Sequence, residues 1–295
     1  MSPDFPQRLH EVIGPRVHKP SIGDILTHAG RLATDDAERI AQAQQQSKLS
    51  FGEAGVRLGL LSRADIDFAL ARQYEYPYLD AADGTRISTD LVAALQPFSM
   101  QTESLRALRS QLALRWLDHA GLERNLAVVG PQRGDGRSWL AANLAIVFAQ
   151  LGQRTLLIDA DMRHPRQHQL FALSNGNGLS SILSGRRHAD SIRRYEPLAN
   201  LSVLSAGPQA PNPQELLGRN TFAELLAECS SAFDVVLIDT PAGNDYADAQ
   251  IVCARAGSAM LTARRNRTRL NDAGRLSSDL QRHGVKMLGA VLSEF

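Results

Sequence analysis

The stretch Gly130-Pro-Gln-Arg-Gly-Asp-Gly-Arg-Ser138 lies between an apolar run, Leu126–Val129, and a helix-like run, Trp139–Leu151. A glycine-rich turn between a strand and a helix lets the backbone close around a polyphosphate, with the helix N-terminal N–H groups aimed at the anion. Gly134, Asp135, Gly136, Arg137, Ser138 and Trp139 are therefore the candidate cofactor-binding residues. In the pattern G-x-x-x-x-G-K-[ST] the Lys reaches the β/γ-phosphates and the hydroxyl meets Mg²⁺. Here Arg137 stands at the Lys position and Ser138 at the hydroxyl position; Gly130 comes one residue early, with Pro131 where the pattern has Gly. Arginine is a permanent cation and a good phosphate ligand, but a planar fork in place of a point charge. The exchange is expected to keep phosphate affinity and to disturb transition-state alignment.

Acidic residues follow two other apolar runs. Leu156-Leu-Ile-Asp-Ala-Asp161 and Val235-Val-Leu-Ile-Asp239 place Asp159, Asp161 and Asp239 at strand ends. Mg²⁺ takes oxygen ligands and keeps several waters, so one or two carboxylates with Ser138 and phosphate oxygens suffice. Asp239 fits the cation-holding role with Ser138 and Asp161. Asp159 is expected to polarise the attacking nucleophile, with Asp161 and Arg137 as its catalytic companions. A lone Asp after a strand commonly caps a helix, a reading that stays open for Asp161.

These residues need a scaffold. The runs Leu126–Val129, Thr155–Ile158, Leu201–Leu204, Val235–Ile238, Ser258–Thr262 and Met287–Leu292 alternate with helical patterns. Near-continuous apolar strands between helices predict an α/β fold, a mostly parallel sheet covered on both faces, with ligands at the carboxyl ends of the strands. The N-terminal part carries a repeat: Ile22–Leu32 is echoed by Phe51–Leu61, and Thr34–Gln44 by Arg63–Gln73. Each unit reads as two helices around a Gly turn (Gly30, Gly59), with Thr34 and Ser62 as helix caps. Three regions follow: a helical module over 1–80, a linker over 81–100 around Asp83-Gly84 and Pro97, and a P-loop domain over 101–295. In the helix that opens the third, Glu103, Arg106 and Arg109 share one face while Leu105, Leu108 and Leu112 pack inward.

Composition narrows the function. Of the 295 residues 43% are hydrophobic and 21% charged, with a formal charge of +1; these are values of a globular protein and argue against one built to coat nucleic acid. Two cysteines, Cys229 and Cys253, give no disulfide framework and suit a reducing cytosol. No apolar run reaches the length of a membrane span, the longest being interrupted by Asn143 and Gln150, and no signal peptide is expected. A membrane role is expected to come through a partner, without direct insertion.

The spacing resembles a family. Gly136–Ala145, Gln150–Pro165, Gly178-Leu-Ser-Ser-Ile-Leu-Ser-Gly185, Ala206-Gly-Pro-Gln-Ala-Pro-Asn-Pro-Gln-Glu-Leu-Leu217, Phe233–Pro241, Ala247–Ala249 and the Thr268 region are similar to the bacterial tyrosine kinases of exopolysaccharide assembly. The Arg at 137, with this N-terminal module, resembles the EpsG-like branch of chain-length-determinant kinases. The resemblance implies a P-loop NTPase fold and an ATP·Mg²⁺ site of Arg137, Ser138, Asp159, Asp161 and Asp239. It implies homo-oligomers through Glu103, Arg106 and Arg109. It also implies a membrane polysaccharide co-polymerase (a Wzz-type chain-length determinant) as partner, and a cytoplasmic location peripheral to the inner membrane through that partner. The repeat itself resembles the N-terminal domain of type II secretion ATPases, some of which bind cyclic di-GMP. The arginines of that version are replaced by Ser21-Ile22-Gly23 and Ser50-Phe51-Gly52, which favours a protein-docking module.

Two departures keep three functions open. The tail Val291–Phe295 holds no tyrosine, and the tyrosines are Tyr74, Tyr76, Tyr78, Tyr195 and Tyr246. The first three are expected to pack the end of the N-terminal module, or to replace the missing tail cluster as phosphoacceptors. With Arg137 this leaves a tyrosine kinase, a nucleotide-binding scaffold of the same machinery without kinase activity, or a ParA/MinD-like ATPase.

Overall fold

A computed structural model describes residues 20–74, 79, 87–117, 124–186 and 190–294. The chain divides between Tyr76 and Pro77 into two compact units. Tyr76, Tyr78 and the Asp83-Gly84 turn lie outside the described residues.

Among the described residues of the first unit are four helices: α1 (Ile22–His28), α2 (Thr34–Gln46), α3 (Phe51–Arg57) and α4 (Arg63–Gln73). Gly30 and Gly59 turn the chain at φ +69° and +70°, so the repeat seen in sequence is a repeat of backbone geometry. Leu26, Leu32, Ile40, Ala54, Leu61 and Ala69 form its small core. Ser62 caps α4 in a reciprocal box with Asp65. Thr34 does not cap α2: it is the first helical residue, and Ala33 precedes it with no side-chain cap. Ser21 and Ser50 cap α1 and α3, each boxed with Asp24 or Glu53. The serines of Ser21-Ile22-Gly23 and Ser50-Phe51-Gly52 are thus used to start helices. Tyr74, expected to pack, is 66% exposed.

The second unit is a seven-stranded sheet in the order β3-β4-β2-β5-β1-β6-β7. Its strands are β1 (Asn125–Val129), β2 (Thr155–Asp159), β3 (Ile192–Arg194), β4 (Leu201–Leu204), β5 (Val235–Asp239), β6 (Ser258–Arg264) and β7 (Lys286–Ser293). All six runs picked out by their apolarity are strands and pair in parallel. β3 was not foreseen: Ile-Arg-Arg is short and polar, and pairs antiparallel on the edge next to β4. Such an edge strand carries little apolar signal because only one side of it is buried.

Helices cover both faces. On one lie α5 (Val92–Leu95), α6 (Met100–Leu112), continued by a π turn over Ala113–Leu117, and α7 (Arg137–Gln150). Between β2 and β3 run the short helices α8 (Gln167–Leu170) and α9 (Leu179–Leu183). α9 covers the other face with α10 (Pro213–Gly218), α11 (Asn220–Ala232), α12 (Asp248–Ala256) and α13 (Leu270–Arg282).

α7 is buried all round, because the sheet lies on one side and the 91–112 region on the other. Asn143 and Gln150, the two polar residues that break its apolar run in sequence, tie that region down. Asn143 accepts from the Ala93 N–H at 2.9 Å and donates to the Asp90 carbonyl at 2.9 Å; Gln150 donates to the Ala93 carbonyl at 2.9 Å. The expected linker over 81–100 is therefore corrected for its described second half: Leu91, Val92, Ala93 and Ala94 are core residues. The segment is short and Pro-flanked, so its helix leaves no periodicity to read. Among the described residues no helix is long and apolar enough to cross a membrane.

Gly178 sets the approach of α9 to the end of β4. A Cβ there would stand 2.2 Å from the Ser205 carbonyl oxygen, while the Leu179 and Ser180 N–H groups bond Ser205 and Ala206 at 2.8 and 2.9 Å. Gly178→Ala is expected to cost about 2 kcal/mol or more through this clash, read as a lower denaturant midpoint with an unchanged slope.

Candidate functional site

β1 delivers the chain into the glycine-rich loop, and α7 leaves it. Gly134 and Gly136 hold φ of +88° and +89°, left-handed values open to glycine at little cost. Gly136 is the N-cap of α7 and brings no side chain. The Arg137 and Ser138 amides consequently have no partner among the described residues, as an anion-accepting helix start requires. A cavity of about 970 Å³ opens over this loop, and Gly134, Gly136, Arg137, Ser138, Trp139 and Asp161 all line it.

Arg137 is 7% exposed and anchored along one edge. Its Nε donates to the Thr240 carbonyl at 2.9 Å, and its Nη1 to the carbonyls of Gly130 at 3.3 Å and Gln132 at 2.5 Å. Nη2 has no partner among the described residues, and the residue lines the cavity. The planar fork thus clamps the loop to the end of β5 and leaves one nitrogen for a ligand. A lysine would spend all three of its N–H donors on these carbonyls and keep none for a ligand.

Asp135 differs from its sequence assignment. It is fully buried, and its oxygens accept from the Gln132 N–H at 2.6 Å and the Thr268 hydroxyl at 2.7 Å. Its side chain is a strut joining the loop to the turn after β6, where Thr268 also accepts from the Arg264 N–H at 2.7 Å.

The three aspartates divide into two layers. Asp159 and Asp239 are register partners at the ends of adjacent parallel strands, about 5 Å apart at the backbone, and both are fully buried. Asp161, two residues past Asp159, reaches the cavity wall. Its Oδ1 accepts from the Arg163 and His164 N–H groups at 3.2 and 2.9 Å. Oδ2 has no such partner among the described residues.

Asp159 was expected to polarise a nucleophile, but its oxygens are already committed. One accepts from the Asp161 N–H at 3.2 Å; the other accepts from Arg166 and Gln167 at 3.0 and 2.9 Å, capping α8. The helix-cap alternative raised for Asp161 belongs to Asp159. The residue facing the cavity is Asp161.

Gln167 carried no sequence motif, yet it joins all three elements. It is fully buried, its N–H bonds Asp159, and its side-chain amide donates to Asp239 Oδ2 at 2.8 Å and to the Ser138 carbonyl at 3.1 Å. Asp239 Oδ1 is buried with no hydrogen-bond partner among the described residues. An oxygen so placed is costly unless something else uses it.

Burial, with the Asp239 charge beside it, holds the Asp159 carboxyl well above its ordinary value. Burial pushes Asp239 up to about 6, against the pull of Gln167, Ser138 and Arg137. Among the described residues no group of three His, Cys, Asp or Glu side chains could hold a metal by itself. Two carboxylates and a hydroxyl suit a cation that arrives with phosphate oxygens.

Beside the cavity, Arg163 pairs with buried Asp248 at 2.7 Å, and its guanidinium lies 4.0 Å from the Tyr246 ring centre. Tyr195 is buried, edge-on to Phe171 at 5.3 Å. On α6, Glu103 pairs with Arg106 at 3.1 Å, while Arg109 donates to the Val147 carbonyl of α7 at 2.8 Å.

No protein-family model matches the chain. Individual proteins do. The chain is 34% identical over 210 residues to tyrosine-protein kinase YwqD of Bacillus subtilis, covering 71% of this chain and 88% of that one. This chain belongs to the bacterial tyrosine-protein kinase family. It is also 34% identical over 205 residues to the tyrosine-protein kinase Wzc of Salmonella typhimurium, covering 70% of this chain and 28% of that longer protein. Among solved structures, the kinase domain of the Escherichia coli tyrosine kinase ETK superposes with a TM-score of 0.67 at 30% identity, covering 71% of this chain and 81% of that one. The kinase-family match agrees with the P-loop α/β architecture expected from the strand pattern.

The raised carboxyls give this kinase-family protein an unusual pH response. A carboxyl that holds its proton more tightly when folded makes folding take up protons between its unfolded and folded pKa. For Asp239 that window runs from 3.8 to about 6, so its contribution is largest in acid and is lost as pH rises through about 6. Asp159 acts in the same direction. Without nucleotide or divalent cation, the melting temperature is expected to fall between pH 4.5 and 7 by about 4 °C or more, and Asp239→Asn is expected to flatten the fall.

Proposed function

We propose that the chain is an ATP-dependent protein-tyrosine kinase whose ATP·Mg²⁺ site is the cavity over the glycine-rich loop. The observation that carries this reading is a left-handed glycine loop with unpartnered α7 amides on one cavity, with the unsatisfied oxygen of Asp239 buried on a residue that Gln167 ties to Ser138 of the cavity wall. The amides of Arg137 and Ser138 hold phosphate oxygens, and Arg137 Nη2 adds a charged donor. Ser138, Asp161 and Asp239 are the residues that would hold Mg²⁺, directly or through water. When bound, that ion neutralises charge on the β- and γ-phosphates.

Phosphoryl transfer of this kind depends mainly on positioning and charge neutralisation. Asp161 is the carboxylate open to the cavity, and we assign it the acceptor side: it orients a tyrosine hydroxyl and takes its proton as the phosphoryl group leaves ATP. Asp159 and Gln167 hold the floor on which Asp161, Ser138 and Asp239 stand. The same reading places the protein in polysaccharide export, docked on a membrane co-polymerase and oligomeric through Glu103, Arg106 and Arg109. The motif resemblance and the exposed Glu103, paired with the partly buried Arg106 on α6, support it.

The direct test is phosphotyrosine formation by purified protein with ATP and Mg²⁺, with the cytoplasmic segment of a co-polymerase as partner. Native protein should form phosphotyrosine, and Asp161→Asn should lower the rate by about 100-fold or more. Nucleotide-dependent assembly with no phosphotyrosine under any of these conditions would replace the kinase by the scaffold.

The anchored Arg137 gives a second expectation. Arg137→Lys loses the ties to Thr240 and Gln132, so ATP affinity should drop about tenfold even though the charge is kept. An affinity equal to or above the native value, measured by calorimetry, would show that the clamp is dispensable.

A further inference from the structure

We infer that His168 is a further ligand of the terminal phosphate of ATP, donating a hydrogen bond from Nε2–H. This rests on the reading of the cavity as the ATP site. The loop from β2 into α8 supplies Asp161, His164, Arg166 and His168 to the cavity wall. Of these, His164 is exposed, and Arg166 extends to Asp90 at 3.6 Å. His168 is partly buried, and its backbone is fixed from two sides. Its carbonyl accepts from the Leu173 N–H at 2.8 Å. The residue before it, Gln167, is bonded to Asp159, Ser138 and Asp239. The segment that presents this imidazole is therefore fastened to the same residues that would hold the phosphates and the cation.

The ring itself indicates what it can offer. Nδ1 is buried and has no hydrogen-bond partner among the described residues. A buried N–H without an acceptor is rarer and costlier than a buried lone pair. The proton of the neutral ring therefore belongs on Nε2, which is left to serve the cavity. Burial also holds the pKa below that of an ordinary histidine, which keeps the ring neutral near pH 7. A neutral donor on the cavity wall, on the segment that Gln167 fastens to Ser138 and Asp239, complements the end of the nucleotide that carries the transferring group. It adds no net charge to a site already supplied with Arg137.

Calorimetric titration with ATP and with ADP, Mg²⁺ present throughout, tests this on the full chain. The native protein, His168→Leu and His168→Gln are compared, each with its melting temperature. His168→Leu should weaken ATP about tenfold and ADP less than twofold, and His168→Gln, whose amide can donate from about the same place, should stay within about threefold for both. Nitrogen-15 spectra of the imidazole in native protein should show the Nε2–H tautomer. Equal losses for ATP and ADP in His168→Leu, no loss, failure of glutamine to rescue, or the Nδ1–H tautomer would each overturn the inference. If native protein binds neither nucleotide, the ATP-site reading fails and takes this inference with it.

Discussion

Two fully buried carboxylates placed opposite each other on adjacent strands set the terms for this fold. The register of β2 on β5 pairs Asp159 with Asp239, and both are fully buried. Like charges this close in a low-dielectric interior repel, and burial penalises each alone. The protein holds them with directed donors. Three backbone N–H groups meet Asp159, and the Gln167 amide meets Asp239. One oxygen of Asp239 is left over. The surrounding elements follow from that arrangement. α8 begins where Asp159 can cap it, Gln167 bonds both Asp239 and the Ser138 carbonyl, and the Arg137 charge acts on Asp239 from the loop.

The glycine-rich loop is held by the same kind of directed bonding. Arg137 ties it to the end of β5, and Asp135 ties it to the turn after β6 through Thr268. The loop is thus held in place with its Arg137 and Ser138 amides unpartnered among the described residues. Preorganised dipoles of this kind are what phosphoryl transfer demands of a protein. The exchange of lysine for arginine has a structural sense here. The planar fork meets three carbonyls along one edge and still presents a nitrogen, which a single ammonium could not do.

Much of this was legible in the sequence. The six parallel strands announced themselves because a strand covered on both faces must be apolar throughout, and the carboxylates stood where parallel sheets bind ligands. The Gly30 and Gly59 turns were marked by spacing alone. What escaped notice has physical reasons. β3 is a polar edge strand. The helix over 92–95 is held by Asn143 and Gln150, two residues that read as interruptions of an apolar run. Gln167 belongs to no motif, since its role comes from long-range bonds to Ser138 and Asp239. That Asp161 and not Asp159 lines the cavity was not legible, because strand alternation ends at β2 and spacing cannot say which carboxylate turns inward. Asp135 looked like a ligand residue because it sits in the loop, and its partner Thr268 lies 133 residues away.

The account turns on the buried oxygen of Asp239 being satisfied by a cation that enters with nucleotide. Calorimetric titration of ATP with and without Mg²⁺, on native protein and on Asp239→Asn, measures this directly. Native protein should bind ATP about tenfold or more tightly when Mg²⁺ is present, and Asp239→Asn should lose that dependence while staying folded. ATP binding of the same strength with and without the ion, or a dependence that survives in Asp239→Asn, would contradict the account.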